Sequence, residues 1–227
     1  MLKAFIIFQE EEDKMIFKTI RVKSVKEGLT TNSYIILDEE TNEVMIIDPG
    51  GEAQIFIDEV NMIDGKLKYI YLTHCHIDHI GAVKDIKNAL GGTILISKDD
   101  YEGLFDTSIN RSFGIHYTEI ERGDIDENLL LNDNDKIYLG ENEFEVISTP
   151  GHTKGCTCLY NKENKLLFSG DTMFYSTFGR TDLPTGNEDD MMKSLLEKIL
   201  VLPEDVEVHP GHGSSTNIKD EKKLYIR

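Results

Sequence analysis

A run of histidines and aspartate between a predicted strand and a predicted helix constrains the fold most. Tyr69–Thr73 predicts a short strand, and Ile80–Leu90 predicts a helix with Val83, Ile86, Ala89 and Leu90 on one face. Between them lies the pattern His-x-His-x-Asp-His, formed by His74, His76, Asp78 and His79. Three histidines within six residues serve no packing purpose, whereas imidazole and carboxylate groups are good ligands for zinc, iron or manganese. The pattern therefore predicts a metal site.

One short loop supplies only part of a ligand set. In an extended segment His74 and His76 point the same way, while Asp78 and His79 begin the helix and aim at a second point. Further ligands are therefore expected at the ends of other strands. Three candidates follow predicted strands, and each lies beside a glycine that allows close backbone approach: His152, Asp171 and His212.

Seven candidate ligands suit two divalent metal ions that share one acid. Zinc is the expected metal, with iron or manganese as alternatives. Asp48, in the turn Asp48-Pro49-Gly50-Gly51, is a candidate to hydrogen-bond beneath one ligand.

The remaining pattern alternates strands with a few helices. Ala53–Ile63 predicts a helix with Ile55, Ile57, Val60 and Ile63 on its apolar face, and Asp189–Leu202 predicts one with Met192, Leu195, Leu196 and Ile199 inward. Residues 98–135 predict a short helix and a long loop. No Gly/Ser or Pro linker divides the chain, so residues 15–227 are predicted to form one domain of sheets and outer helices. Residues 1–14 are an N-terminal extension: an extra strand, a frayed tail or a start-site artefact.

Charge and cysteine content exclude several classes of protein. The chain carries 24 Lys and Arg against 42 Asp and Glu, a formal charge of −18. This charge argues against nucleic-acid and anionic-membrane partners. No apolar run approaches the ~18 residues of a membrane span. Three cysteines make no disulfide framework, which predicts reduced thiols and a cytoplasmic protein.

With these motifs in place, the chain resembles the metallo-β-lactamase superfamily from about Phe17 to Lys222. The resemblance implies an α+β fold: an αβ/βα four-layer sandwich, with two mixed β-sheets packed face to face, helices outside and metals at one edge. By motif match, His74, His76 and His152 would hold the first metal, Asp78, His79 and His212 the second, and Asp171 would bridge them.

Within the superfamily the chain looks most like the glyoxalase II-like (hydroxyacylglutathione hydrolase-like) branch, on Thr73–Val83, Gly170–Phe174 and Gly179–Gly186. Glyoxalase II carries a C-terminal helical domain that contacts glutathione, whereas this chain ends shortly after His212. The resemblance is therefore to the shorter, single-domain branch, and glutathione recognition does not carry over.

The expected reaction is hydrolysis of a small thioester or ester by a metal-bridging hydroxide, with Asp78 orienting it or accepting its proton. No further acid is evident, which favours a thiolate leaving group over an amine. Arg180 is a candidate substrate-binding residue, although an ion pair with Asp182 is the favoured alternative. The oligomeric state stays open.

Other functions compete with this one. A persulfide dioxygenase with one iron on His74, His152 and Asp171 shares the Gly179–Asp182 segment, and a lactonase would use the same metals. A non-catalytic scaffold is disfavoured because no ligand is missing. Packing is the favoured role for several residues. Cys75 is expected to pack, and so are Cys156 and Cys158, with a redox role as their alternative. His209 is expected to support a ligand or to lie in the core. Phe113, His116 and Tyr117 are expected to pack within their own loop, with the lining of a substrate pocket as the alternative.

Overall fold

The structure is a computed structural model that describes residues 15–225. The predicted extension, residues 1–14, lies outside the described residues. The strands β1–β13 are, in chain order, Met15–Lys23, Thr30–Asp38, Glu43–Ile47, Lys66–Tyr71, Thr93–Leu95, Lys136–Leu139, Asn142–Ser148, Thr157–Asn161, Leu166–Gly170, Met173–Phe174, Thr177–Phe178, Glu207–Pro210 and Thr216–Asn217. The helices α1–α5 are Ala53–Met62, Ile77–Ile80, Val83–Leu90, Glu188–Lys193 and Ile218–Tyr225.

Two mixed sheets carry the fold. One has the strand order β1-β2-β3-β4-β5, with β3, β4 and β5 parallel, and the other has the order β13-β12-β9-β8-β7-β6, with β12 and β9 parallel. Strands β10 and β11 form a separate ribbon. Parallel neighbours need crossover connections. These are α1, then α2 with α3, and in the second sheet α4 with the π-helical turn Ser194–Ile199 that continues it.

Three apolar layers alternate with the sheets. In β2, Tyr34 and Ile36 face the core between the two sheets, whereas Ile35 and Leu37 face the helices, as the two-residue period of a strand requires. Phe56 of α1 and Val83 of α3 join the layer outside the first sheet. Leu195 joins the layer outside the second. The predicted αβ/βα sandwich is confirmed.

Parallel strands bring the polar segments to one edge. Strand β3 runs parallel to β4 in the first sheet, and β9 runs parallel to β12 in the second. After the ends of these four strands come Asp48, the segment Thr73–His79, Asp171 and His212. Sites in mixed α/β sheets form where the carboxyl ends of such strands meet.

Three helix predictions were wrong in detail. Phe56 and Val60 are the buried residues of α1, and Ile55 is 38% exposed. The predicted helix 80–90 is split into α2 and α3, and Ala89 is exposed. Leu196 is exposed because Ser194–Ile199 is a π-helix, closed by a bond from Leu200 N to Leu195 O, so its wider turn moves successive side chains off the α-helical face.

Residues 98–135 follow the prediction of a short helix and a long loop, with three 3₁₀ turns at Tyr101–Phe105, Arg122–Asp124 and Glu127–Leu129. Across the described residues, every helix is too short or too polar to span a bilayer.

Candidate metal centre

The seven predicted ligands meet at the common strand edge. Ligand atoms of His74, His76 and His152 lie within 4.8 Å of one another. Those of Asp78, His79 and His212 form a second group with the same spread, and those of Asp48, His74 and His79 form a third. The first two histidines lie in the loop after β4, whereas His152 and His212 follow strands of the opposite sheet.

Asp171 lies between the two groups. Its Oδ1 is 3.3 Å from His79 Nε2, and its Oδ2 is 3.4 Å from His152 Nε2 and 3.6 Å from His212 Nε2. One carboxylate therefore faces histidines of both groups, as a ligand shared by two cations would.

Hydrogen bonds behind the rings turn their other nitrogens toward the site. Nδ1 of His152 donates to Arg180 O at 2.7 Å, and Nδ1 of His212 donates to Thr30 O at 2.7 Å. The N–H at Nδ1 leaves Nε2 of each ring as an acceptor facing the cluster, which is the tautomer that a metal requires. His76 has the opposite orientation, because its Nδ1 faces His152 Nε2 at 2.9 Å.

Two of these polar atoms have no protein partner. Nε2 of His74 and Oδ1 of Asp171 are buried and make no hydrogen bond. Leaving such an atom unpaired costs about 1–3 kcal/mol. Coordination by a cation satisfies a lone pair directly, so the donor set fits metal ions.

The pKa shifts divide the candidate ligands into two sets. Although burial lowers both, the charge of Asp171 raises the pKa of His79 well above its usual value and raises that of His212. The other shifts are in the direction that suits a cation. Burial, followed by the charge of His152, lowers the pKa of His76 to about 3. Burial, followed by the charges of His79 and His76, lowers the pKa of His74 well below its usual value. Burial raises the pKa of Asp171, but the nearby His79 and His212 outweigh it and hold that pKa well below its usual value. Neutral imidazole and ionised carboxylate are the forms that bind metals.

Asp48 supports the cluster from beneath, as the sequence suggested. Its Oδ2 accepts from His79 Nδ1 at 2.9 Å and from Thr73 Oγ1 at 2.6 Å, and its Oδ1 accepts from Thr73 N at 2.8 Å. The carboxylate thereby holds the His79 proton on Nδ1 and leaves Nε2 toward Asp171.

We expect Asp48→Asn to weaken zinc binding about 10–100-fold, because an amide N–H beside His79 Nδ1 favours the tautomer that protonates Nε2. Competition against a chelating dye measures the affinity. Asp64→Asn, on the exposed turn after α1, is the matched control. Equal zinc affinity in the two variants would contradict this role for Asp48.

The sequence reasoning missed Asp100, a buried carboxylate that ties the ligand loops together. Its Oδ2 accepts from Cys75 N at 3.0 Å and from Thr153 Oγ1 at 2.7 Å, and its Oδ1 accepts from Gly155 N at 2.9 Å. Burial raises its pKa, and these hydrogen bonds oppose that rise. One signal was available: Asp100 follows a predicted strand, as the ligands do.

Two glycines let the backbone approach the site. A Cβ on Gly211 would lie 2.6 Å from His79 Cε1 and 2.7 Å from Asp171 Oδ1. Gly170 has φ +49°, and a Cβ there would lie 2.3 Å from Thr73 Oγ1. Both positions therefore exclude side chains where β9 and β12 reach the cluster.

Five of the candidate ligands line a cleft of about 440 Å³. Arg180 lines it, but the guanidinium forms a two-bond ion pair with Asp182 at 2.7 Å for each bond. This is the pairing that the sequence favoured, and substrate binding by Arg180 stays a prediction. The other lining residues are Lys26, Glu27, Gly28, Leu29, Arg111, Phe174, Gly179 and Leu183, with the ligands His76, Asp78, His152, Asp171 and His212.

The residues for which the sequence favours packing divide into two sets. The three cysteines are free and buried. His209 lies among aromatic rings, 4.9 Å from Phe17 and 5.5 Å from Phe168 between centroids. Phe113 and His116 differ, because both are exposed and line a second cleft.

Comparison with known proteins gives one consistent result. Residues 27–212 match the family model described as the metallo-beta-lactamase superfamily. Hydroxyacylglutathione hydrolase GloC of Haemophilus influenzae is 34% identical over 192 residues, covering 85% of this chain and 90% of that protein.

Solved structures are similar in fold and length. The B3 metallo-beta-lactamase BLEG-1 superposes with a TM-score of 0.81 and is 32% identical in sequence. TTHA1623 in a di-iron-bound form superposes with a TM-score of 0.78 and is 26% identical. Each of these comparisons covers 91% of this chain and 96% of the other. ETHE1 from Myxococcus xanthus superposes with a TM-score of 0.70 at 25% sequence identity, and the comparison covers 92% of this chain and 84% of the other.

Proposed function

The chain belongs to the metallo-β-lactamase superfamily, and we propose that it is a hydrolase of small thioesters or esters that holds two divalent metal ions. The observation that carries the proposal is the pair of three-ligand groups with Asp171 between them. His74, His76 and His152 would hold one ion, Asp78, His79 and His212 the other, and Asp171 would contact both. Zinc is the metal we expect, and the di-iron form of TTHA1623 keeps iron as an alternative.

When bound, the two ions supply a water of lowered pKa and Lewis-acid stabilisation of a carbonyl oxygen. We assign Asp78 to orient that water and accept its proton. Although burial raises it, the neighbouring His212 and His79 lower the pKa of Asp78 to about 2, so the carboxyl group is ionised at neutral pH. Asp78 also lines the open cleft, where a substrate carbonyl has access.

A thioester is the preferred substrate because of its leaving group. A thiol has a pKa of about 8.5, so a thiolate departs with little help from a general acid. The similarity to GloC supports the same choice. A lactone remains the alternative within hydrolysis, since it needs the same ligands.

A persulfide dioxygenase is the second candidate. It would use one iron on His74, His152 and Asp171, and His152 Nε2 lies 3.4 Å from Asp171 Oδ2. It leaves the second group, Asp78, His79 and His212, without a role. We therefore prefer the hydrolase.

The metal count separates these functions. Protein purified without a chelator or a metal-binding tag is expected to carry close to two ions per chain by mass spectrometry, and His212→Ala to carry about one, since it removes a ligand from one group only. His116→Ala, an exposed histidine outside the cluster, is the control and should keep two.

A single iron per chain, with oxygen uptake on glutathione persulfide, would replace the hydrolase with the dioxygenase. Protein that takes up no metal, even after zinc or iron is added back, would exclude both enzymes.

We also propose a small-molecule substrate and a cytoplasmic location. The formal charge of −18 disfavours nucleic-acid partners. The three free, buried thiols are what a reducing compartment maintains. Residues 15–227 are proposed to act as one catalytic unit.

A further inference from the structure

Two clefts meet beside the metal centre. The metal cleft of about 440 Å³ adjoins a larger one of about 860 Å³, and both are lined by Lys26, Glu27 and Arg111. The larger cleft also contains Phe113, whose side chain is 87% exposed. A substrate with its scissile bond at the ligands would pass these shared residues to reach the larger cleft.

Arg111 is unusual among the described arginines because its guanidinium has no partner in residues 15–225. Of the four arginines in residues 15–225, Arg21 bonds Asn32 and Gly213, Arg122 pairs with Glu102 and Arg180 pairs with Asp182. Arg111 makes no such hydrogen bond or ion pair within that range, although acidic residues outnumber basic ones by 42 to 24 in the chain. An unpaired cation on so acidic a protein is available to a ligand.

Backbone contacts hold Arg111 beside α2, the helix that contains Asp78 and His79. The buried neighbour Asn110 donates its amide to Leu104 O at 2.9 Å, accepts from Ser112 N at 2.9 Å and accepts through its main-chain carbonyl from Ile77 N at 2.8 Å. Arg111 itself has φ +67°, a left-handed conformation that costs about 1 kcal/mol or more in a non-glycine residue. The surroundings thus fix this residue next to Asp78.

Lys26 supplies a second cation from the β1–β2 loop. Its backbone is fixed by a bond from its N–H to Ser24 Oγ at 3.1 Å and by Leu29 N, which donates to its carbonyl at 3.3 Å. Its ammonium forms no ion pair with any described residue. Glu27 is the one acidic side chain that the two clefts share, so the junction keeps a net positive charge.

We propose that Lys26 and Arg111 form an anion-binding subsite that takes a carboxylate or phosphate on the thiol-carrier side of the substrate. The inference rests on the proposed thioester hydrolase and specifies its substrate class: an anionic thiol carrier that lies in the larger cleft while its acyl carbonyl reaches the ligands. A guanidinium and an ammonium together match either anion, the first through paired N–H groups and the second as a point charge.

Equilibrium binding tests the subsite without catalysis. S-methylglutathione carries carboxylates, S-methyl-coenzyme A carries phosphates, and neither thioether is cleaved. We expect calorimetry to show that at least one of them binds, and that Arg111→Gln and Lys26→Gln each weaken binding about tenfold or more. Arg111→Lys should recover part of the loss. Lys162→Gln, on the exposed β8–β9 turn, makes the same charge change and should bind as the parent does.

Kinetics on a matched series gives the second readout. Thioesters of one acyl group are compared on glutathione, coenzyme A and neutral N-acetylcysteamine. Arg111→Gln should lower the ratio of kcat/KM for the anionic carrier to that for the neutral one about tenfold, chiefly through KM. A loss confined to glutathione identifies a carboxylate, and one confined to coenzyme A identifies a phosphate.

Different results would overturn the anion subsite and the thioester hydrolase. Turnover that is indifferent to carrier charge and to Arg111→Gln would overturn the subsite and keep the hydrolase. Thioether binding that Arg111→Gln weakens, without turnover of any thioester by metal-loaded protein, would keep the anion subsite and overturn the hydrolase. Absence of binding to both thioethers would overturn the subsite.

Discussion

Replacing Asp171 with asparagine is expected to lower kcat/KM on a thioester on the order of 10³-fold, the scale on which a site loses rate when a charge-stabilising group is removed. Asp171 lies between histidines of the two ligand groups, at 3.3 Å from His79 Nε2 and 3.4 Å from His152 Nε2. A neutral amide there removes the negative charge that offsets two cations, so the metal content should fall to one ion or fewer per chain.

Metal analysis and kinetics on the same sample measure both effects. Asp189→Asn is the matched control, because Asp189 is an exposed residue in the first turn of α4. Two ions per chain and near-normal turnover in Asp171→Asn would show that this carboxylate is not shared between metals.

Asp100→Ala is expected to lower the free energy of unfolding by about 3 kcal/mol or more. Three donors lose their acceptor, and each buried donor left unpaired costs about 1–3 kcal/mol. They belong to Cys75, Thr153 and Gly155, which flank ligands from opposite sheets, so the two ligand loops also lose their common anchor. Urea unfolding of metal-free protein measures the loss apart from any contribution of bound ions.

Asp99→Ala provides the comparison, since Asp99 is the exposed neighbour of Asp100. Zinc affinity should also fall in Asp100→Ala and stay unchanged in Asp99→Ala. If both variants unfold at the same urea concentration, Asp100 does not anchor the loops.

The ligand cluster could be predicted because its signals are local. Three histidines lie within six residues, and His152, Asp171 and His212 each follow a strand and adjoin a glycine, so strand direction alone brings them to one edge. The layered fold follows from two-residue and helical periods of apolar residues.

The residues that the sequence did not reveal depend on distant partners. Asp100 acquires its role from Thr153 and Gly155, more than fifty positions away. Arg111 is distinguished by two features of the described structure: its guanidinium has no ion pair or hydrogen bond there, and its backbone is left-handed. Leu196 faces solvent because a π-helical turn changes the helical phase, and a fixed 3.6-residue period does not anticipate that.

The division of the ligands between the two sheets also bears on biosynthesis. A nascent chain leaves the ribosome amino end first, so the segment His74–His79 emerges long before His152, Asp171 and His212. Until β12 is made and the second sheet docks, the early histidines lack the candidate ligands His152, Asp171 and His212, although Asp48 already belongs to their half of the chain. Completion of the proposed two-metal site therefore belongs to the last stage of synthesis.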